Sequence, residues 1–142
     1  MKSVTMIAFA ACLLAGFAVV GTVSAQDHAA TATVPFGFNV GDKWVPAGTY
    51  TISSDMRSNL ISIRDKDRNI ALWSLVQSDG RRLNEGKLVF TKYGDRYFLH
   101  EILCSSCGMN FALPGSRHEK LARARQEEAG LSNPTDVYLA LK

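Results

Sequence analysis

Four side chains with the widest chemistry lie close together in this sequence: Cys104 and Cys107, spaced C-x-x-C, with His100 before them and His118 after them. In an oxidising compartment, two cysteines three positions apart close as a disulfide across a turn. A ring that short stabilises by about 2 kcal/mol on the chain-entropy account. A thiol–disulfide oxidoreductase would need Cys104 at a helix N-terminus, where the dipole lowers the thiol pKa. The run from Gly108 to Pro114 that follows Cys107 has no helical pattern, which weighs against that chemistry. Idle or redox-sensing thiols are a third state for the pair. His100, Cys104, Cys107 and His118 are also four zinc-ligand types. However, a single C-x-x-C is half a zinc site, and the H-x3-C-x2-C-x10-H spacing is not one that structural zinc sites use. No metal and no cofactor is expected.

Two further sets of residues are candidates for a ligand site. Glu101 stands in an otherwise apolar strand, and a carboxylate facing a barrel interior would have a raised pKa and mark a cavity. A β-bulge, a strand-end position or a basic partner would each explain it without a ligand. Trp44 and Trp73, with Tyr50, Tyr93 and Tyr97, could stack on sugars, although aromatics at this spacing are more often core or cross-strand residues. Ser116, in Pro-Gly-Ser-Arg, lacks the G-x-S-x-G of a nucleophile elbow. Arg81-Arg82 and the charges of the late helix, Lys120 and Arg123 among them, read as solvated surface.

The elements that must position these residues are mostly strands. Val34, Phe36, Phe38 and Val40 alternate with polar and small residues, which predicts one half-buried strand, with Pro35 placing it at a sheet edge or at a point where the N–H side faces out. Gly41-Asp42 and Pro46-Ala47-Gly48 are turn signals, and a strand restarts at Tyr50. A short strand at 60–64 precedes the polar turn from Asp65 to Asn69. Residues 70–77 are apolar on both faces, which predicts a central strand, and 78–86 reads as a loop.

The clearest hairpin spans Lys87 to Leu103 about Gly94-Asp95. A two-residue loop sets Tyr93 opposite Arg96, Thr91 opposite Phe98, Val89 opposite His100 and Leu88 opposite Glu101. Leu88, Phe90, Tyr97, Leu99 and Leu103 then form the core face, and Glu101 falls among them; Lys87, Val89, Thr91, Arg96, Phe98 and His100 form a mixed face. A short strand at 108–113 follows. Ser116 and Glu119 form a capping box, and Gly130 stops a helix of about 117–129. Its apolar stripe is thin, mainly Leu121 and alanines, so it must lie on the surface. Val137, Leu139 and Leu141 alternate in a last strand. About seven or eight short strands with one late surface helix predict a single antiparallel β-barrel or β-sandwich.

The first 25 residues are of another kind. Lys2 is followed by an apolar run from Val4 to Val20 and by Val23-Ser24-Ala25, a small-x-small cleavage site. This predicts a signal peptide cut after Ala25, in preference to a retained anchor or a lipid on Cys12. Without a twin-arginine pair, the route is general secretion to the periplasm or beyond. Residues 26–31 read as a disordered lead-in, and 32–142 as one β-rich domain. The formal net charge of the chain is +3, and loss of Lys2 leaves about +2. That charge is too small to draw nucleic acid or an anionic membrane. The expected partner is a small molecule or an envelope protein.

Three segments together resemble a family of small secreted bacterial proteins of unknown function. They are VPFGFNVGDKWVPAGTYTI at 34–52, GKLVFTKYGDRYFLHEIL at 86–103 and LPGSRHEKLA at 113–122. The resemblance implies an exported β domain with a late helix. It brings no activity, cofactor or catalytic residue, and in such proteins a plain Gly/Ser-type turn is expected where Cys104 and Cys107 stand. The expected function is therefore a non-enzymatic exported β domain with a structural, ligand-binding or protein-contact role. The alternative is a thiol or metal protein built on Cys104 and Cys107, followed by an unrecognised hydrolase.

Overall fold

The computed structural model describes residues 29–55, 57–68, 71–80, 85–131 and 133–142. The segment read as a signal peptide, Cys12 and Arg81-Arg82 lie outside the described residues. Within them the chain is mostly strand with one helix, as the patterning predicts. Strand β1 (Ala29–Val34) pairs antiparallel with β4 (Gly48–Asp55), β4 with β5 (Leu60–Asp65), and β5 with β6 (Ala71–Leu75). The second sheet runs in the order β11 (Thr135–Ala140), β8 (Lys87–Tyr93), β9 (Arg96–Cys104), β10 (Met109–Ala112) and β7 (Gln77–Ser78). The short hairpin of β2 (Phe38–Val40) and β3 (Lys43–Val45) joins β9 through a parallel pairing of β2.

The two sheets are joined at both margins. On one side Thr31 and Lys142 exchange backbone hydrogen bonds of 2.7 and 2.9 Å. On the other, the chain runs from β6 through buried Val76 directly into β7. One core fills the space between them. Ala30, Ala32 and Val34 enter it from β1, Ile61 and Ile63 from β5, Leu88 and Phe90 from β8, and Ile102 and Cys104 from β9. Phe90 lies at its centre. It makes edge contacts with Phe36 at 5.3 Å and Phe38 at 5.2 Å between ring centroids, and Phe38 meets Tyr50 in the same way at 5.5 Å.

Several sequence expectations are corrected here. The lead-in ends earlier than expected, because Ala29, Ala30 and Thr31 already pair with Ser53, Ile52 and Thr51. The single strand expected over 33–40 is two strands, β1 and β2, in different sheets. Pro35 cannot extend a ladder, and at Gly37 the chain passes beneath Trp44, where an added Cβ would come within 2.9 Å of the indole. The central strand expected over 70–77 is β6, a terminal strand of its sheet, with Trp73 and Leu75 exposed and Leu72 turned inward.

The hairpin turns where expected, with Tyr93 opposite Arg96 and Thr91 opposite Phe98. A bulge between Val89 and Phe90 then shifts the register, so that Phe90 faces Leu99 but Val89 faces Glu101. His100 is the extra residue. Leu88 therefore lies opposite Ile102, and Leu103 leaves the core face for a place opposite Lys87. Glu101 is not on the apolar face: the bulge moves it to the outward side.

Helix α1 (Arg117–Glu128) begins as the capping box predicts, with the Ser116 hydroxyl accepting from the Glu119 amide at 3.0 Å. Gly130 follows it at a φ of 62°, a left-handed conformation that glycine adopts at little cost. Its inward face differs from expectation. Leu121 is exposed, while Ala122 and Gln126 are buried against the outward side of the hairpin, where Ala122 joins Tyr93 and Phe98 in a small second core.

Candidate functional site

The outward face of β8, β9 and β11 is where the strands bring polar side chains together. The registers set Thr91 between Asp136 and Phe98, and Val89 between Tyr138 and Glu101, with His100 at the bulge beside them. Two cavities lie along this face. One, of about 270 Å³, is lined by Lys87, Val89, Thr91, His100, Glu101, Leu103, Asp136 and Tyr138. The other, of about 350 Å³, lies toward α1 and is lined by Thr91, Tyr93, His100, Gly115, Glu119, Lys120 and Arg123. Thr91 and His100 line both.

These groups are held in place by one another. The Thr91 hydroxyl donates to Asp136 Oδ1 at 3.1 Å across the sheet. The Lys87 ammonium stands over the Tyr138 ring, 4.7 Å from its centroid, a cation–π contact. The Tyr93 hydroxyl donates to Glu119 Oε1 at 3.4 Å, and the Gly94 amide donates to Gln126 Oε1 at 3.0 Å. These two contacts tie α1 to the hairpin. Burial, and then the Glu119 carboxylate, push the Tyr93 phenol above its ordinary pKa. In the core, burial and then Asp65 do the same for Tyr50, whose hydroxyl donates to the Pro46 carbonyl.

The two raised phenols set a pH dependence. Below about pH 10 both tyrosines are neutral in the folded and unfolded chains. Above it, the unfolded chain releases protons that the folded one still holds, so stability falls as pH rises through the folded pKa. The thermal midpoint is therefore expected to drop above about pH 10. The drop should be shallower in a Tyr50→Phe/Tyr93→Phe variant. An equally steep decline in that variant would place the cause elsewhere.

Of the residues singled out in the sequence, the structure gathers only some. Glu101 and His100 share the 270 Å³ cavity. Trp44 on β3 and Trp73 on β6 are 67% and 56% exposed, and neither lines that cavity. Cys104 and Cys107 are disulfide-bonded, with Cα atoms 5.2 Å apart, the cysteine state of an oxidising compartment. Cys104 is buried in the core at the end of β9, and β10 follows the turn. The first cysteine thus stands on a strand and not at a helix N-terminus. His118 points elsewhere, with Nδ1 3.9 Å from Asp42 and its backbone amide donating to the same carboxylate at 3.1 Å. The four zinc-ligand types are not brought together, and no group of three His, Cys, Asp or Glu at metal-holding spacing occurs among the described residues.

Sequence reasoning placed Thr91 on a mixed face but missed Asp136 and Tyr138. Their signal was the polar half of the alternation whose apolar half is Val137, Leu139 and Leu141. Lys120 and Arg123 read as solvated helix charges, because nothing in the sequence says which side of α1 faces the sheet. No helix among the described residues is long and apolar enough to cross a membrane. The chain matches no known family model, no curated protein and no solved structure.

Proposed function

We propose that this chain is an exported, non-enzymatic β domain that binds a small polar molecule on the outward face of its β8–β9 hairpin. The observation that carries the reading is the pair of adjoining cavities sharing Thr91 and His100. Their walls combine aromatic faces with polar groups already fixed by their neighbours, as small-molecule sites do. Export is supported by the signal-like segment ending at Ala25 and by the disulfide. The resemblance to small secreted bacterial proteins points the same way. Cys104 and Cys107 serve here as a staple for the turn that launches β10.

Native mass spectrometry of the protein purified from its export compartment tests this. The expected ion has the mass of residues 26–142 less two hydrogens, plus an organic adduct that is lost in a Thr91→Val/His100→Ala variant. A zinc adduct would overturn the proposal in favour of a metal site at the cysteines. A bare ion, together with no NMR shift on this face in a screen of small polar molecules, would also overturn it.

A further inference from the structure

Trp44 is left unused by the hairpin's outward face. It stands on β3, outside both cavities there, and is 67% exposed. Leaving so much indole in water forgoes the burial that large aromatic side chains gain in a core. The position is nonetheless a built one. The Cζ2, Cε2 and Nε1 atoms of the indole lie 2.9, 3.2 and 3.2 Å from the point that a Cβ on Gly37 would occupy. Gly37 does not take the left-handed φ that calls for glycine at Gly41 and Gly94. Its missing side chain therefore serves the indole: one edge of the ring is seated against the backbone, and the rest is presented to solvent.

The groups around the ring are polar. Asp42, at the tip of the same hairpin, is two residues away, no more than about 7 Å along the chain. Its Oδ1 accepts the His118 amide, while its Oδ2 accepts from none of the described residues. Asp42 and His118 are both exposed, as is Lys43. A protein anchored on Trp44 would meet these charges where the centre of such a contact is depleted of them. A quaternary ammonium is held by several rings, and Trp44 meets no other ring among the described residues. One exposed ring with hydrogen-bonding groups at its side suits a pyranose, whose C–H face packs on an aromatic while its hydroxyls, ranged around the rim, exchange hydrogen bonds. We infer that Trp44 is the stacking surface of a glycan-binding site, which sets one pyranose against the indole and one of its hydroxyls at Asp42. Gly37 acts through Trp44 as a positioning residue. This site stands or falls apart from the one on the hairpin's outward face.

The chain has two tryptophans, so the indole N–H signals of the 15N-labelled exported protein supply a reporter, Trp44, and a control, the exposed Trp73. Titration with cellohexaose, maltohexaose and hexa-N-acetylchitohexaose is expected to move the Trp44 signal with at least one of them and the Trp73 signal with none. Gly37→Ala displaces the indole, the free end of a flexible side chain. Asp42→Asn keeps an acceptor for the His118 amide but loses the second carboxylate oxygen. Each variant should weaken binding severalfold, with an unmoved Trp73 signal in the sugar-free protein as the mark of an intact fold. A Trp44 signal that ignores all three sugars would overturn the site, and so would equal shifts of both tryptophans, which mean unselective stacking. A shift with tetramethylammonium chloride and with no sugar would make Trp44 a cation contact instead. Movement on dilution of the protein alone would make it a contact between copies. Undiminished affinity in both variants would overturn the roles of Gly37 and Asp42.

Discussion

Replacing Phe90 with alanine is expected to lower the unfolding free energy by about 3–5 kcal/mol. Phe90 is fully buried and meets two other rings, Phe36 and Phe38, edge to face. The substitution removes the ring's transfer free energy and leaves a cavity that strands fixed on both sides cannot collapse to fill. Domains of this kind are stable by only about 5–15 kcal/mol in total, so the variant should lose a large share of its folded margin. Urea unfolding followed by tryptophan fluorescence would measure the loss, with Thr91→Val beside it as a variant on the opposite face. A loss below about 1 kcal/mol for Phe90→Ala would mean that the hairpin's inward face is misassigned.

The second large effect is at the disulfide. A Cys104→Ala/Cys107→Ala variant is expected to lose about 2–3 kcal/mol. About 2 kcal/mol of that is the loop-closure contribution of so short a ring. The rest is the apolar burial of the Cys104 sulfur, whose residue is 2% exposed. The variant should keep the parent's fold by NMR, since β9 and β10 are also held by their ladder from Glu101 to Cys104. Thiol titration gives an independent reading: no free thiol should appear in the native or the denatured protein until a reductant is added. Two reactive thiols in the untreated native protein would refute the bond.

How far the sequence reached is seen best along the hairpin. Gly94-Asp95 set the register correctly from Tyr93 back to Phe90, because a two-residue loop leaves the strands no slack. The register failed beyond Phe90, since a bulge changes which side a residue faces while leaving the ladder almost intact. The trace it left was His100-Glu101, two polar neighbours between the apolar pairs Phe98-Leu99 and Ile102-Leu103. A strict alternation has no room for such a pair, and an extra residue gives it room.

The same limit explains Val34 to Val40. Their alternation is real, yet alternation reports only inside and outside, not which sheet a strand joins. Trp73 and Leu75 misled for a related reason: apolar residues on both faces suit a central strand, and nothing local reveals that β6 has a neighbour on one side only. The helix was the best-read element because its signals, Ser116, Glu119 and Gly130, are local. Its docking face was misread because Gln126 is held by the Gly94 amide, a partner in a distant turn. The site suffered most, since it is assembled from β8, β9, β11 and α1, and no stretch of sequence contains it.

The backbone exchange between Thr31 and Lys142 bears on the order in which the molecule can form. It joins residues at opposite ends of the domain, and the parallel pairing of Phe38 with Tyr97 spans about half that separation. Contacts so remote along the chain make a slow-folding topology, because loop entropy is lost before the contact is gained. The hairpin about Gly94 and the Gly41 turn can form early and locally. The margin between Thr31 and Lys142 cannot, and until it closes β1 lacks its neighbour on that side. That interval, when a strand edge stands open, is the part of this protein's life in which a second copy competes with its own last strand.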